Sequence, residues 1–203
     1  MVAVFLAAFA ALIPITNPFA ALAAFAGMTV GMKPADVHRQ AWLTGAYVAA
    51  ILVVFALAGT LLLSFLGIGL PALQVAGGLV VMHSGFTMLS AKQTLSSGER
   101  EGAAAMTDIS FSPMALPLIA GPGAIGVVIA LSARHPDLLS QLGVALACVA
   151  IAVVVAVTLR YGTALVEKLG PVGIGAITRV MGFLILAIGV EIALHGVMTF
   201  FAK

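Results

Sequence analysis

The sequence predicts an all-α membrane protein: one transmembrane domain of six helices, arranged as two inverted three-helix repeats, with the first and fourth helices broken near mid-span. Three observations carry this. The chain is 63% hydrophobic and only 8% charged, against ~25% charged in soluble domains. Residues 40–91 contain no Asp, Glu, Lys or Arg, a run long enough for two spans at about 20 residues each. Two apolar stretches, one per half, carry helix-breaking residues where a continuous helix is expected: Ile13-Pro14-Ile15-Thr16-Asn17-Pro18-Phe19-Ala20 and Leu116-Pro117-Leu118-Ile119-Ala120-Gly121-Pro122-Gly123-Ala124-Ile125-Gly126.

The elements follow from where charges and turn residues fall. The first span covers about 2–28 and breaks near Asn17-Pro18; Met1–Phe5 has no basic n-region, so this stretch reads as a retained span. The second runs from about His38 to Ser64, with Trp42 as an interfacial anchor. Gly67-Ile68-Gly69-Leu70-Pro71 makes a tight turn, and the third span covers about 72–91. The polar stretch around 92–109, with Ser96-Ser97-Gly98, reads as a linker between repeat 1 (about 1–91) and repeat 2 (about 110–203). The fourth span, about 110–132, holds the Gly-Pro-Gly break. Pro136 in the next loop is placed to start the fifth helix, about 138–162. Leu169–Gly173 is a turn, and the sixth span covers about 174–199. Barrel strands would alternate in ten-residue segments; these runs are continuously apolar, so helices are expected.

Lys33, Arg39, Lys92, Arg100, Arg160 and Lys168 fall on one side, Arg134 and Lys203 on the other. The positive-inside rule then places both termini outside. At an offset of 104 residues Pro18 falls on Pro122, Ala20 on Ala124, Gly69 on Gly173, Gly78 on Gly182 and Gly85 on Gly189. Three spans per half is an odd number, so the halves must be inverted. Inverted repeats with discontinuous helices are a secondary-transporter design.

The breaks are the candidate site. After Pro18 and Pro122 new half-helices begin, whose first amides are unpaired and carry partial positive charge. They suit an anionic group such as a carboxylate. Thr16 and Asn17 add a hydroxyl and an amide beside the first break, and Gly121, Pro122 and Gly123 form the second. A kink that only shapes packing is the alternative. Arg179, at the start of the sixth span, suits a bidentate carboxylate contact or snorkelling to the interface. Glu191, with His195 four residues on, is a candidate coupling residue for sodium or protons, or a pair near the outer end. His83 and Ser84 either line the cavity or bond a neighbouring helix. Gly77, Gly78, Gly85, Gly182 and Gly189 read as close-packing positions.

Other classes lack support. The net charge of +2 is spread out, with no nucleic-acid footprint. The single Cys148 allows no internal disulfide or thiol pair. No metal-ligand spacing, catalytic triad or phosphate loop is present, so neither an enzyme nor a resident cofactor is expected.

Asn17-Pro18, the stretch Leu73–Gly78, the string Pro113-Met114-Ala115-Leu116-Pro117-Leu118-Ile119-Ala120-Gly121-Pro122-Gly123-Ala124-Ile125, and Arg179-Val180-Met181-Gly182 together resemble the MarC family over almost the whole chain. The resemblance implies a six-span integral membrane protein of a bacterium or archaeon, in its cytoplasmic membrane. It also implies a relation to the lysine-exporter-like superfamily, and transport of small neutral amino acids such as glycine and alanine, as described for some members. Glu191 departs from the family pattern, where Gln is expected. The expected function is thus a secondary transporter of small neutral amino acids or similar metabolites, working by alternating access. Its partners would be the lipid bilayer, a small-molecule substrate and a possible second copy of the chain. The rival readings are an inorganic ion or metal exporter, a membrane electron carrier, and a structural or regulatory subunit without cargo.

Overall fold

The computed structural model describes residues 1–90 and 108–202; the expected linker lies almost wholly outside these residues. The elements are α1 (Val2–Thr16), α2 (Pro18–Met28), α3 (Pro34–Phe65), α4 (Leu70–Leu89), α5 (Ser110–Ile119), α6 (Pro122–Arg134), α7 (Leu138–Tyr161) and α8 (Thr163–Phe201). No strand occurs among the described residues. Four helices are individually long and apolar enough to cross a membrane, and two bent pairs bring the number to six. The pairs are α1 with α2, bent by 40°, and α5 with α6, bent by 63°. The all-helical fold with broken first and fourth spans is therefore as the sequence predicts.

Helix ends follow local chemistry. Proline supplies a preset φ at the first turn of α2, α3, α4 and α6. For α7 the device differs from expectation. Asp137 is the cap, accepting from the Ser140 amide at 2.9 Å, and Pro136 lies one residue outside. Hydrogen bonds from Ser140 hold the Asp137 carboxyl below its ordinary range. Asp108, just before α5, accepts from the Ser110 hydroxyl and amide, which lower its pKa. The predicted turn at 169–173 appears as a kink inside α8, where Gly170 adopts φ 60°, a conformation glycine reaches without strain.

α5 is less regular than a broken span requires. Ser112 and Leu116 are extended, at φ −127° and −128°. Each precedes a proline, whose ring disfavours the helical region for the residue before it. The backbone is closed instead by wider turns, Met114 N–H to Ile109 C=O at 3.2 Å and Ala120 N–H to Ala115 C=O at 2.9 Å.

The core is shared by α1, α2, α3, α5, α6 and α7, with Leu12, Phe25, Leu52, Met114, Ile119 and Cys148 buried. α4 pairs with α8 through glycine. A Cβ on Gly78 would meet the Ala193 amide nitrogen at 2.6 Å and the Gly189 carbonyl at 2.7 Å. One on Gly85 would meet the Leu186 amide nitrogen at 2.5 Å and the Gly182 carbonyl at 2.7 Å. Small residues let backbones touch, so packing replaces a hydrophobic drive that lipid cannot supply. α3 meets α7 similarly, where Gly45 faces Ala156. The outward surface is apolar, with Leu61, Phe86, Val153 and Phe183 at least half exposed. Such a belt suits lipid and would be unusual in water.

Gly85→Ala is expected to lower stability by about 1–3 kcal/mol, because the obstructing atoms are backbone and cannot swing away. Gly27→Ala, whose added methyl meets nothing within 4 Å, should leave it unchanged or raise it. Thermal unfolding in detergent measures both; equal melting points would show that the α4–α8 contact is looser than described.

Candidate functional site

The two breaks are built differently. At the first, Asn17 takes a left-handed conformation, φ 37° and ψ 72°. Asparagine tolerates this region better than most residues. Its amide reaches back to the Ile13 carbonyl at 3.1 Å, ending α1. Its Oδ1 accepts from the Ala20 amide at 3.2 Å, capping α2, and its Nδ2 donates to the Met88 sulfur at 3.4 Å. Thr16 donates its hydroxyl to the Leu12 carbonyl at 3.0 Å. Both side chains are thus already engaged with protein.

At the second break Gly121 is extended and precedes Pro122. A Cβ on Gly121 would lie 2.5 Å from the Pro117 carbonyl oxygen, so glycine is required for space. No side chain caps α6. The first donors of this helix, on Gly123 and Ala124, therefore lack the partner that Asn17 supplies to α2. Pro18 and Pro122 also have no N–H to offer the carbonyls four residues back, on Pro14 and Leu118.

Both breaks open on one cavity of about 1150 Å³. It collects Thr16, Asn17, Gly121, Pro122, Gly123, Ser84 and Arg179. Pro18 lies buried beside it. His83 is exposed on the far face of α4, and Glu191 is exposed on α8; neither lines the cavity. Ser84 bonds the Val80 carbonyl at 3.0 Å. Thr87, Met88 and Thr178 are further lining residues that sequence reasoning did not single out. Their signal was helical spacing: Ser84, Thr87 and Met88 share one face of α4, and Thr178 adjoins Arg179.

The chemistry is one-sided. Among the described residues lining the cavity, Arg179 is the single charged group, and no Asp, Glu, His or Cys joins it. Ile15, Val80, Val81, Leu118, Ile174 and Ile185 supply apolar walls. The uncapped first turn of α6 adds partial positive charge. The cavity thus offers donors and a cation, together with apolar surface. Among the described residues no three His, Cys, Asp or Glu gather as a metal site.

A model of MarC family integral membrane proteins matches residues 2–201. Over 200 residues the chain is 36% identical to proteins named inner membrane protein MarC in Salmonella paratyphi B and Salmonella typhimurium. It is 35% identical to the one in Citrobacter koseri. Each alignment covers 92% of this chain and 90% of the relative. No solved structure matches.

Because Asn17 both caps α2 and holds a left-handed backbone, Asn17→Ala should cost about 2 kcal/mol, from a lost cap and a strained φ. Asn17→Gly keeps the backbone freedom and should cost less. Melting curves of the two variants in detergent test this; equal losses would remove the backbone contribution.

Proposed function

The chain belongs to the MarC family of integral membrane proteins, multi-pass proteins of the inner membrane, and we propose that it is a secondary transporter of small carboxylate-bearing metabolites, small neutral amino acids first among them. The observation that carries this is the shared cavity on which both helix breaks open, with Arg179 as its one charged group among the described lining residues. Arg179 and the free amides of Gly123 and Ala124 take the carboxylate. The carbonyl of Leu118, a lining residue that Pro122 leaves without a helical donor, suits an ammonium group. Thr16 and Asn17 hold the first break in shape and border the bound molecule. A divalent cation would find no acidic, imidazole or thiolate ligand among the described lining residues, which favours this reading over a metal exporter.

Helix pairing supports inverted repeats. At the 104-residue offset Gly78 corresponds to Gly182 and Gly85 to Gly189. In the α4–α8 contact Gly78 faces Gly189 and Gly85 faces Gly182, so each glycine meets the counterpart of the other. Two further sets of contacts pair likewise: α1 on α7 mirrors α5 on α3, and α2 on α8 mirrors α6 on α4.

The two ends are not equivalent, which supports alternating access. The cavity reaches Ala23, Ala24, Gly27 and Met28 of α2 and Ile174 and Thr178 of α8. At the opposite end α6 and α4 are packed, with Gly126 against Gly77. Buried there are Gln74 Oε1 and Ser132 Oγ, neither with a hydrogen-bond partner. Their counterparts are the cavity residues Thr178 and Met28. In the alternate state α4 and α6 part and these two polar atoms meet water. With the positive-inside orientation, the open end faces the cytoplasm.

In proteoliposomes, Arg179→Ala should slow uptake of labelled alanine or glycine about tenfold to a hundredfold, the value of a charge-assisted hydrogen bond. Uptake at the native rate would remove Arg179 from the site. No uptake of any carboxylate by the native protein, with cation flux instead, would favour the exporter reading. Gln74→Cys and Ser132→Cys should resist a membrane-impermeant thiol reagent while the opposite end is closed, and react when a substrate gradient drives turnover. Protection under every condition would count against a second open state.

A further inference from the structure

α8 buries one stripe and exposes the other. Gly182, Ile185, Gly189 and Ala193 face the bundle. Glu191 lies about 160–200° around the helix from Gly189 and Ala193, at 100° per residue, so it points directly away from the protein. Leu184, Ala187, Leu194, His195 and Met198 share that exposed side. The depth of Glu191 makes this significant. The segment Val172–Phe201 is apolar enough to span a membrane. Glu191 lies about 28 Å after its start and about 15 Å before its end at 1.5 Å per residue, so it falls inside a ~30 Å hydrocarbon core wherever along the segment that core sits. The Glu191 and His195 side chains have no hydrogen-bond or ion-pair partner among the described residues. Ionisable groups at such depth almost always face protein or water rather than lipid.

The pair is complementary to itself. A carboxylate accepts and an imidazole donates, and four residues' spacing puts both on one face, one turn apart. A two-fold axis along the membrane normal lays α8 beside α8 of a second copy, in the same direction. Such an interface is isologous: equal positions stand at equal heights, and the Glu191 side chain of each copy reaches about 6 Å, one turn, along the axis to His195 of the other. Ala187, one turn before Glu191, has a small side chain and lets the two helices approach.

We infer that the exposed face of α8 carrying Glu191 and His195 is a homodimer interface within the membrane, closed by two symmetry-related carboxylate–imidazole hydrogen bonds. The inference does not depend on the transport reading, since its test reads association and not flux.

Cysteine cross-linking in native membranes tests it. Cys148 is buried and contributes little background. Ala187→Cys and Leu194→Cys should give covalent dimers on oxidation, and Val153→Cys, on the exposed face of α7, should not. Glu191→Ala and His195→Ala should each weaken dimerisation about tenfold or more, the value of two interhelical hydrogen bonds in a bilayer. Mixing the two variants restores one of the two bonds, so a mixed dimer should form more readily than either variant alone. Cross-linking at 187 and 194 no stronger than at 153, or a monomer in bilayers at every dilution, overturns the interface. Single variants that dimerise like the native chain, or a mixture without recovery, overturn the Glu191–His195 contact.

Discussion

Every backbone donor and acceptor of this chain that lies in hydrocarbon must be paired by protein, because lipid offers no substitute. A straight helix meets that demand automatically; a broken one does not. Here two spans are broken, and the protein meets the resulting need in two ways. At the first break a side chain closes the gap, with Asn17 bonding Ala20 of the helix that follows. At the second, α5 closes wider turns around Pro113 and Pro117, and α6 begins with no cap. The helix after the first break is therefore capped by a side chain, and the helix after the second is left uncapped toward the cavity that both breaks share. The difference concentrates unsatisfied donors in the second half of the molecule, where Arg179 also stands.

The rest of the structure holds these ends in place. α1, α2, α5 and α6 are short and bent, and could not fix the breaks alone. α3 and α7 surround them with apolar side chains such as Leu52 and Ile151. The α4–α8 pair supplies Val81, Ser84 and Met88 on one side of the cavity and Thr178 and Ile185 on the other. The sulfur of Met88 also receives the free N–H of Asn17, tying the first break directly to the glycine-packed pair.

Much of the fold was legible in the sequence because its punctuation is local. The charge-free run at 40–91 marks two spans, and Asn17-Pro18 marks a break at the residue where it occurs. Proline and glycine act within one turn of themselves, so their effect can be read without knowing the fold. The extended residues Ser112 and Leu116 were readable too, since each precedes a proline, but the Gly-Pro-Gly run that begins at Gly121 is the stronger local break signal. The capping role of Asp137 was masked by Pro136 beside it. What sequence could not supply was the direction each helix faces. His83 and Ser84 are neighbours, but only Ser84 reaches the cavity. Thr87 and Thr178 look unremarkable in a list and face the same space. Glu191 reads as an interior group by its chemistry and stands outside by its angle. Facing is decided by tertiary packing, which long-range contacts set and local pattern does not.

The glycine seam between α4 and α8 has a mechanical meaning. Its contacts set the backbone at Gly78, Gly85, Gly182 and Gly189 against partner backbone and the inner side-chain atoms of Ala193, Met82 and Met88. Such a joint has few side chains to re-sort when its members tilt, so a small rotation costs little. Sliding is another matter. Advancing α8 along α4 by a single residue brings Val190 or Phe183 toward spaces sized for hydrogen atoms. The seam therefore has the form of an axle, which resists the sliding of α8 along α4 more than their tilting.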